Sequence, residues 1–371
     1  MARRIWCGLA LVALLCIALL AVKLGNEKDP GMLLGFQCSG VPVSATQSAK
    51  SVAPPAVLVS YSYFEKDAIQ KENLDFFLAV GMGLGEAARR LDNTDFSIVV
   101  SGDLCTPCKR LYPHAPQKEN VAESEVLREA FTGAGVTLLF RKENVGMDFA
   151  AHNVSIEWAR QQKTAGKYKY FIFLNSSVRG PFFPSYMPHG WRWMQAYTDR
   201  FQGDIAAVSS SIVCLPHEDR YGPHLESWAF ALIPESLELL IQAGVFNIRE
   251  CKFCADGVIA GGEYAITEVL MTQHGRNVAS LMSMYPLDTD WRDSKHWGCN
   301  NNVHPSRHGT YDGITMHPFE VVFVKASWHV GEPFVERYSE WSRKQAEGED
   351  TTSGSFDNAM FSAQSCWLVS S

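Results

Sequence analysis

The chain opens on an apolar run, residues 5–22, that carries no charge and follows Arg3 and Arg4. Its length reaches that of a membrane-crossing helix, about 17–25 residues. Arginines ahead of a span mark the cytosolic side. The pattern predicts a cytosolic tail (residues 1–4), one signal anchor (5–22) and all later residues on the far side of the membrane. A cleaved secretory signal is the alternative, but the run exceeds the roughly 7–15 residues of a signal core and lacks a small-x-small site before Lys23. Residues 23–55 hold few large apolar side chains and end in Pro54-Pro55, which reads as a stem.

From residue 56 apolar strands and amphipathic helices alternate. The pattern predicts strands at 56–63, 95–101, 136–141 and 169–174, with helices at 73–91, 124–134 and 149–164. Strands at 205–214, 227–233, 278–284 and 320–325 and helices at 236–243 and 264–274 follow. Such alternation implies an α/β domain over residues 56–343, with a mainly parallel sheet covered by helices on both faces. Residues 344–371 read as a polar tail.

The composition, 46% hydrophobic with 12% aromatics, is that of a globular chain. A net charge of -7 supplies no basic surface for nucleic acid. Beyond Cys7 and Cys16 of the apolar run, the remaining cysteines are even in number and suit disulfides in an oxidising compartment, with their pairing open. Asn153-Val-Ser155 and Asn175-Ser-Ser177 match the glycosylation pattern, the second at the end of a strand expected to be folded away.

Ligands of parallel sheets bind outside the carboxyl ends of the strands. Two segments there stand out: Glu143-Asn144-Val-Gly146-Met-Asp148 before a helix, and a strand ending Leu174-Asn175-Ser176-Ser177-Val-Arg179-Gly-Pro181. In this order they resemble the glycosyltransferase family related to rhamnan-synthesis protein F and its membrane-anchored eukaryotic relatives. The segments His224-Leu-Glu226-Ser-Trp-Ala-Phe230, Gly262-Glu263-Tyr-Ala-Ile-Thr-Glu268 and His317 to Lys325 extend the likeness over residues 56–325. The resemblance implies a GT-A-like fold, a nucleotide-sugar donor and hexosyl or deoxyhexosyl transfer to a glycan or glycoprotein hydroxyl. A single anchor and a stem suit a single-pass type II protein of the Golgi or endoplasmic reticulum, its domain lumenal.

On that reading, Asn144, Gly146, Asp148, Asn175, Ser176, Ser177, Arg179 and Lys325 are expected to contact the donor. Arg179 and Lys325, with His329 behind them, are candidate cations for the diphosphate. Asp148 could equally cap the following helix. Glu263 leads Asp256 and Glu268 as the base that accepts the acceptor's proton. A divalent metal, Mn or Mg, stays open, because the strand ends in neutral Asn-Ser-Ser where many GT-A enzymes carry Asp-x-Asp; Asp288-Thr-Asp290 matches those letters late in the chain. Glu226 reads as a strand-edge residue and His224 as structural. Two alternatives remain. Cys105-Thr-Pro-Cys108 and Cys251-Lys-Phe-Cys254 could serve thiol redox chemistry or a zinc site. The domain could also bind glycans without catalysis.

Overall fold

The computed structural model describes residues 56–83, 93–111, 127–133, 135–188, 190–215 and 222–347. The expected cytosolic tail, anchor and stem lie outside these residues, as do Cys38, Cys366 and the chain after residue 347. Among the described residues no helix is long and apolar enough to cross a membrane.

In chain order the elements are β1 (Val57–Tyr63), α1 (Ala68–Phe76), β2 (Thr94–Ser101), β3 (Leu127–Gly133), β4 (Val136–Arg141), α2 (Met147–Gln161) and β5 (Tyr170–Asn175). Next come β6 (Ile205–Ser209), β7 (Ile212–Leu215), β8 (Gly222–Leu225), β9 (Ala229–Leu232), α3 (Pro234–Gln242), β10 (Asn277–Ser280) and α4 (Phe334–Ala346). Eight strands form one sheet in the order β10-β6-β9-β5-β1-β2-β4-β3, and β7 and β8 form a separate antiparallel pair. Strands β4, β2, β1 and β5 run parallel; β3 and β9 run against their neighbours. The expected mixed α/β domain with a mainly parallel sheet is therefore present.

Side chains alternate between two packed faces, as the pleat requires. Val57, Val59 and Tyr61 of β1 with Ile172 and Leu174 of β5 pack against Leu74, Phe77 and Trp193. Leu58, Phe171 and Phe173 face the other way, toward Phe149 and Ile156 of α2. Between β1, β2 and α2 lies a buried polar chain: His152 Nδ1 and Ser60 Oγ are 2.8 Å apart, Ser60 donates to Ser155, and Ser155 meets Ser97 at 2.9 Å. The small serines of this chain let α2 approach the sheet closely.

Several predicted elements differ. The helix expected at 124–134 is the hairpin strand β3, which pairs antiparallel with β4 around a turn that holds Gly135 at φ +81°. The helix expected from residue 73 begins at Ala68, because Asp67 and Gln70 form a reciprocal capping box. The strand expected at 205–214 breaks at Ser209, Ser210 and Ser211, whose hydroxyls bond Ala229 O, Val321 O and Glu226 respectively and turn the chain out of the sheet. Residues 320–325 are not a strand: a short helix, Pro318–Val321, precedes a single bridge from Val324 to Arg179. The domain end expected at residue 343 falls inside α4.

Three disulfides close among the described cysteines: Cys105–Cys108, Cys251–Cys254 and Cys214–Cys299. Both CxxC motifs are thus paired internally, which removes the four-cysteine zinc reading. The Cys214–Cys299 bridge spans 85 residues and ties β7 to the turn before residue 304. Closing so long a loop in the unfolded chain predicts about 4–5 kcal/mol of stabilisation on the chain-entropy relation. Cys214→Ser/Cys299→Ser should lose that amount in urea denaturation, whereas Cys105→Ser/Cys108→Ser should lose less.

Candidate functional site

From β1 the chain proceeds to β2 and β4 on one side, then returns to β5 on the other. This reversal opens a crevice at the carboxyl ends of β1 and β5, the usual ligand position of an open parallel sheet. Four loops meet there. After β1, the Phe64 N–H lies 3.4 Å from Ser176 Oγ, and Asn73 of α1 donates to the Ser176 carbonyl at 3.0 Å. Glu65 accepts 2.6 Å bonds from the N–H and hydroxyl of Thr106, pinning the Cys105–Cys108 loop after β2. Burial opposes ionisation of Glu65, but the bonds from Thr106 and Tyr63 outweigh it and hold the carboxyl below its ordinary range.

The loop after β4 is shaped by its own strand. The Arg141 guanidinium donates to the carbonyls of Val145 and Met147. Gly146 sits at φ +73°, and a Cβ there would lie 2.7 Å from Ala150 Cβ, so a side chain is excluded on both counts. This turn starts α2 with Gly146, not Asp148, at the N-cap, and no side chain caps it. Asp148 is the second helical residue instead. Its Oδ2 accepts a 2.8 Å bond from Asn175 Nδ2, while Asn175 Oδ1 accepts the Ser177 N–H. The two stretches singled out in sequence therefore meet across the switch point.

Glu263 completes the group. It lies on a π turn, Ile259–Tyr264, a rare geometry often found at functional sites. Gly262 brings that turn against α2: a Cβ there would lie 3.0 Å from the Phe149 ring. Gly261 likewise leaves room for Arg249 and Asp256. Burial, then the nearby Asp148 charge, push the Glu263 carboxyl up to about 7, against the pull of Lys325 and Lys252. One turn beneath Asp148, His152 is driven down to about 4 by burial, so it is neutral. Lys325 reaches this edge because Val324 pairs with Arg179 and the Ser327 N–H donates to the Ser177 carbonyl at 3.0 Å.

Other expected residues lie elsewhere. Arg179 is buried and committed to α1, donating to Asn73 at 2.9 Å and Glu72 at 2.7 Å. Asp256 points outward, its side chain 91% exposed and 3.5 Å from Arg249. Glu268 is half-buried at the start of the next π turn, Glu268–Gln273. Asp290 is bound by Arg292 at 2.7 and 3.1 Å, which opposes a metal role for Asp288-Thr-Asp290. His329 is exposed, with Nδ1 2.9 Å from Glu332. Among the described residues no three His, Cys, Asp or Glu side chains converge on a metal position.

Glu226, expected as a strand-edge residue, follows directly after β8 and has buried partners as well. It is buried and accepts from the hydroxyls of Ser211 and Ser306, with His304 Nε2 3.4 Å from its other oxygen. No periodicity reveals this group, since its members are 80 or more residues apart in part. His224 is buried and stacks on Tyr264 at 4.5 Å.

No family model matches the sequence, and no curated protein matches it. Solved structures with a likeness include a glycosyltransferase involved in glycosylating the major capsid of PBCV-1, at 11% identity and a TM-score of 0.34, covering 78% of this chain and 99% of that one. Another is the glycosyltransferase GlyE of Streptococcus pneumoniae TIGR4, at 11% identity and a TM-score of 0.36, covering 80% of this chain and 63% of that one. A likeness of this size fixes neither family nor activity.

Glu263 also has a thermodynamic signature. Its folded pKa, about 7, exceeds the ordinary 4.5, so its contribution to stability is full below about 4.5 and lost as pH rises through about 7. Glu263→Gln should therefore be more stable than the parent at pH 8, by on the order of 3 kcal/mol, and equal to it near pH 4.5. Urea denaturation at the two pH values measures the difference.

Proposed function

We propose that this chain is a glycosyltransferase that moves a sugar from a nucleotide-sugar to a hydroxyl of a glycan or glycoprotein. The observation that carries this reading is the meeting of Asn175 and Asp148 at the sheet's switch point, beside a carboxylate poised near neutrality. A carboxyl with that pKa is suited to take a proton at physiological pH. It is kept at a cost in stability, as functional groups often are.

The chemistry follows from the groups present. Glu263 accepts the proton of the acceptor hydroxyl as the oxygen bonds to the anomeric carbon. The bond from that carbon to the diphosphate breaks, and its electron pair leaves with the diphosphate. Asn175 is fixed by Asp148 and by the Ser177 N–H, so its amide presents one orientation to the donor. Lys325 supplies positive charge for the departing diphosphate. A divalent metal, where used, would neutralise the same charge. One displacement of this kind inverts the anomeric centre.

The secretory setting belongs to the same proposal. It is supported by the apolar run behind Arg3 and Arg4 and by three disulfides in the described residues. Kinship with the rhamnan-synthesis protein F group is supported by the sequence segments alone.

The test is turnover of a panel of nucleotide-sugars by the purified full-length protein, with and without Mn²⁺. Glu263→Gln should lower kcat by about a hundredfold to ten-thousandfold. The parent's kcat/KM should rise with pH to a plateau above about 7, and the variant should lose that limb. A domain that binds a nucleotide-sugar yet never cleaves it, in any metal, would overturn the catalytic reading.

A further inference from the structure

One side-chain cluster at the cleft reaches beyond Lys325 to residues that the chemistry above does not use. The Trp328 ring, 39% exposed, lies 4.8 Å from Lys325 Nζ and 5.3 Å from Arg307 Cζ. The imidazole of His304 meets the same ring edge-on at 5.0 Å. Two cations thus share one indole, and neither has a carboxylate at ion-pair distance among the described residues.

The arrangement is built from both sides. Arg307 sits on a loop anchored to buried Glu226 through Ser306 and His304. The Thr310 hydroxyl then clamps that loop, donating to the carbonyls of His304 at 2.7 Å and Arg307 at 2.8 Å. On the other side, Lys325 follows the Val324 bridge to Arg179, and Ser327 is tied to Ser177 at the end of β5. Like charges brought together repel, and an exposed aromatic face offsets only about 0.5–1 kcal/mol for each cation. Burial, reinforced by Arg307 and Lys325 against Glu226, holds His304 below its ordinary pKa. Lys325 feels the Glu263 charge and His304 the Glu226 charge, but neither Lys325 nor Arg307 closes an ion pair among the described residues.

We infer that Arg307 and Lys325, seated on Trp328, form an oxyanion site at the rim of the cleft. The ligand is a phosphate of the donor's diphosphate or the acidic group of an acceptor sugar; both offer the same planar or tetrahedral oxygens to a guanidinium. This assignment rests on the transferase reading and adds Arg307 and Trp328 to it.

Calorimetric titration of the full-length protein with inorganic pyrophosphate, and separately with glucuronate, tests it at low salt. One of the two should bind, and Arg307→Gln and Lys325→Gln should each weaken it about tenfold to a hundredfold. Arg307→Lys should restore part of the loss by keeping the charge. Pyrophosphate binding assigns the site to the donor, and glucuronate binding to an acidic acceptor. Arg307 is exposed, so its variants should keep the parent's melting midpoint. The oxyanion site is overturned if neither anion binds the parent, or if both neutral variants bind as tightly as the parent. Sugar transfer that is lost in Glu263→Gln, with anion binding unchanged in Arg307→Gln, sinks this site alone. Variant-sensitive anion binding without transfer from any donor sinks the transferase reading and leaves the site.

Discussion

A single 2.8 Å hydrogen bond, from the Asn175 amide to the Asp148 carboxylate, joins the two halves of the cleft. One partner ends β5 and the other begins α2. Their contact needs β5 beside β1, α2 packed close on the sheet, and a loop after β4 that turns sharply enough to aim Asp148 inward. Each condition has its own cause. The switch in strand order places β5. The serines and His152 beneath α2 let it approach. Arg141 and Gly146 shape the turn.

Around that bond the charges are balanced unevenly. Asp148, Glu263 and Glu226 lie close enough to influence one another, and Lys325 and Lys252 offset them only partly. Burial first, and then repulsion from Asp148 and Glu226, raises the Glu263 carboxyl to about 7. A carboxylate among carboxylates, in a place with little water, is a poor stabiliser and a good proton acceptor. Arg179 is occupied differently: its guanidinium fastens α1 to the loop after β5, so the positive charge acting on Glu263 comes from Lys325 and Lys252.

Local patterning reveals those features that depend on neighbouring residues. β1, β2, β4 and β5 are visible in sequence because burial on both faces demands unbroken apolar runs. Elements at the sheet's margins are less visible. β3 carries a helix-like pattern and becomes a strand through pairing with its hairpin partner. The run at 205–214 breaks where three serines find carbonyl and carboxylate partners far along the chain. The loops that bring Asp148 and Asn175 together were visible in sequence from their place after strands. Asp256 and Glu263 look alike on paper. They separate only when one is found exposed against Arg249 and the other beside Asp148.

The amino-acid order by itself determined the apolar N-terminal run, the α/β class, the parallel core strands and the loops where chemistry could reside. Periodicity and composition act over a few residues, and these features need nothing longer. The tertiary structure decided which cysteines pair, which acid has a raised pKa, that Arg179 is structural, and that His304, Ser306 and Arg307 belong with Glu226 and Trp328. Those outcomes depend on distances between segments tens to hundreds of residues apart, which only the packed chain sets.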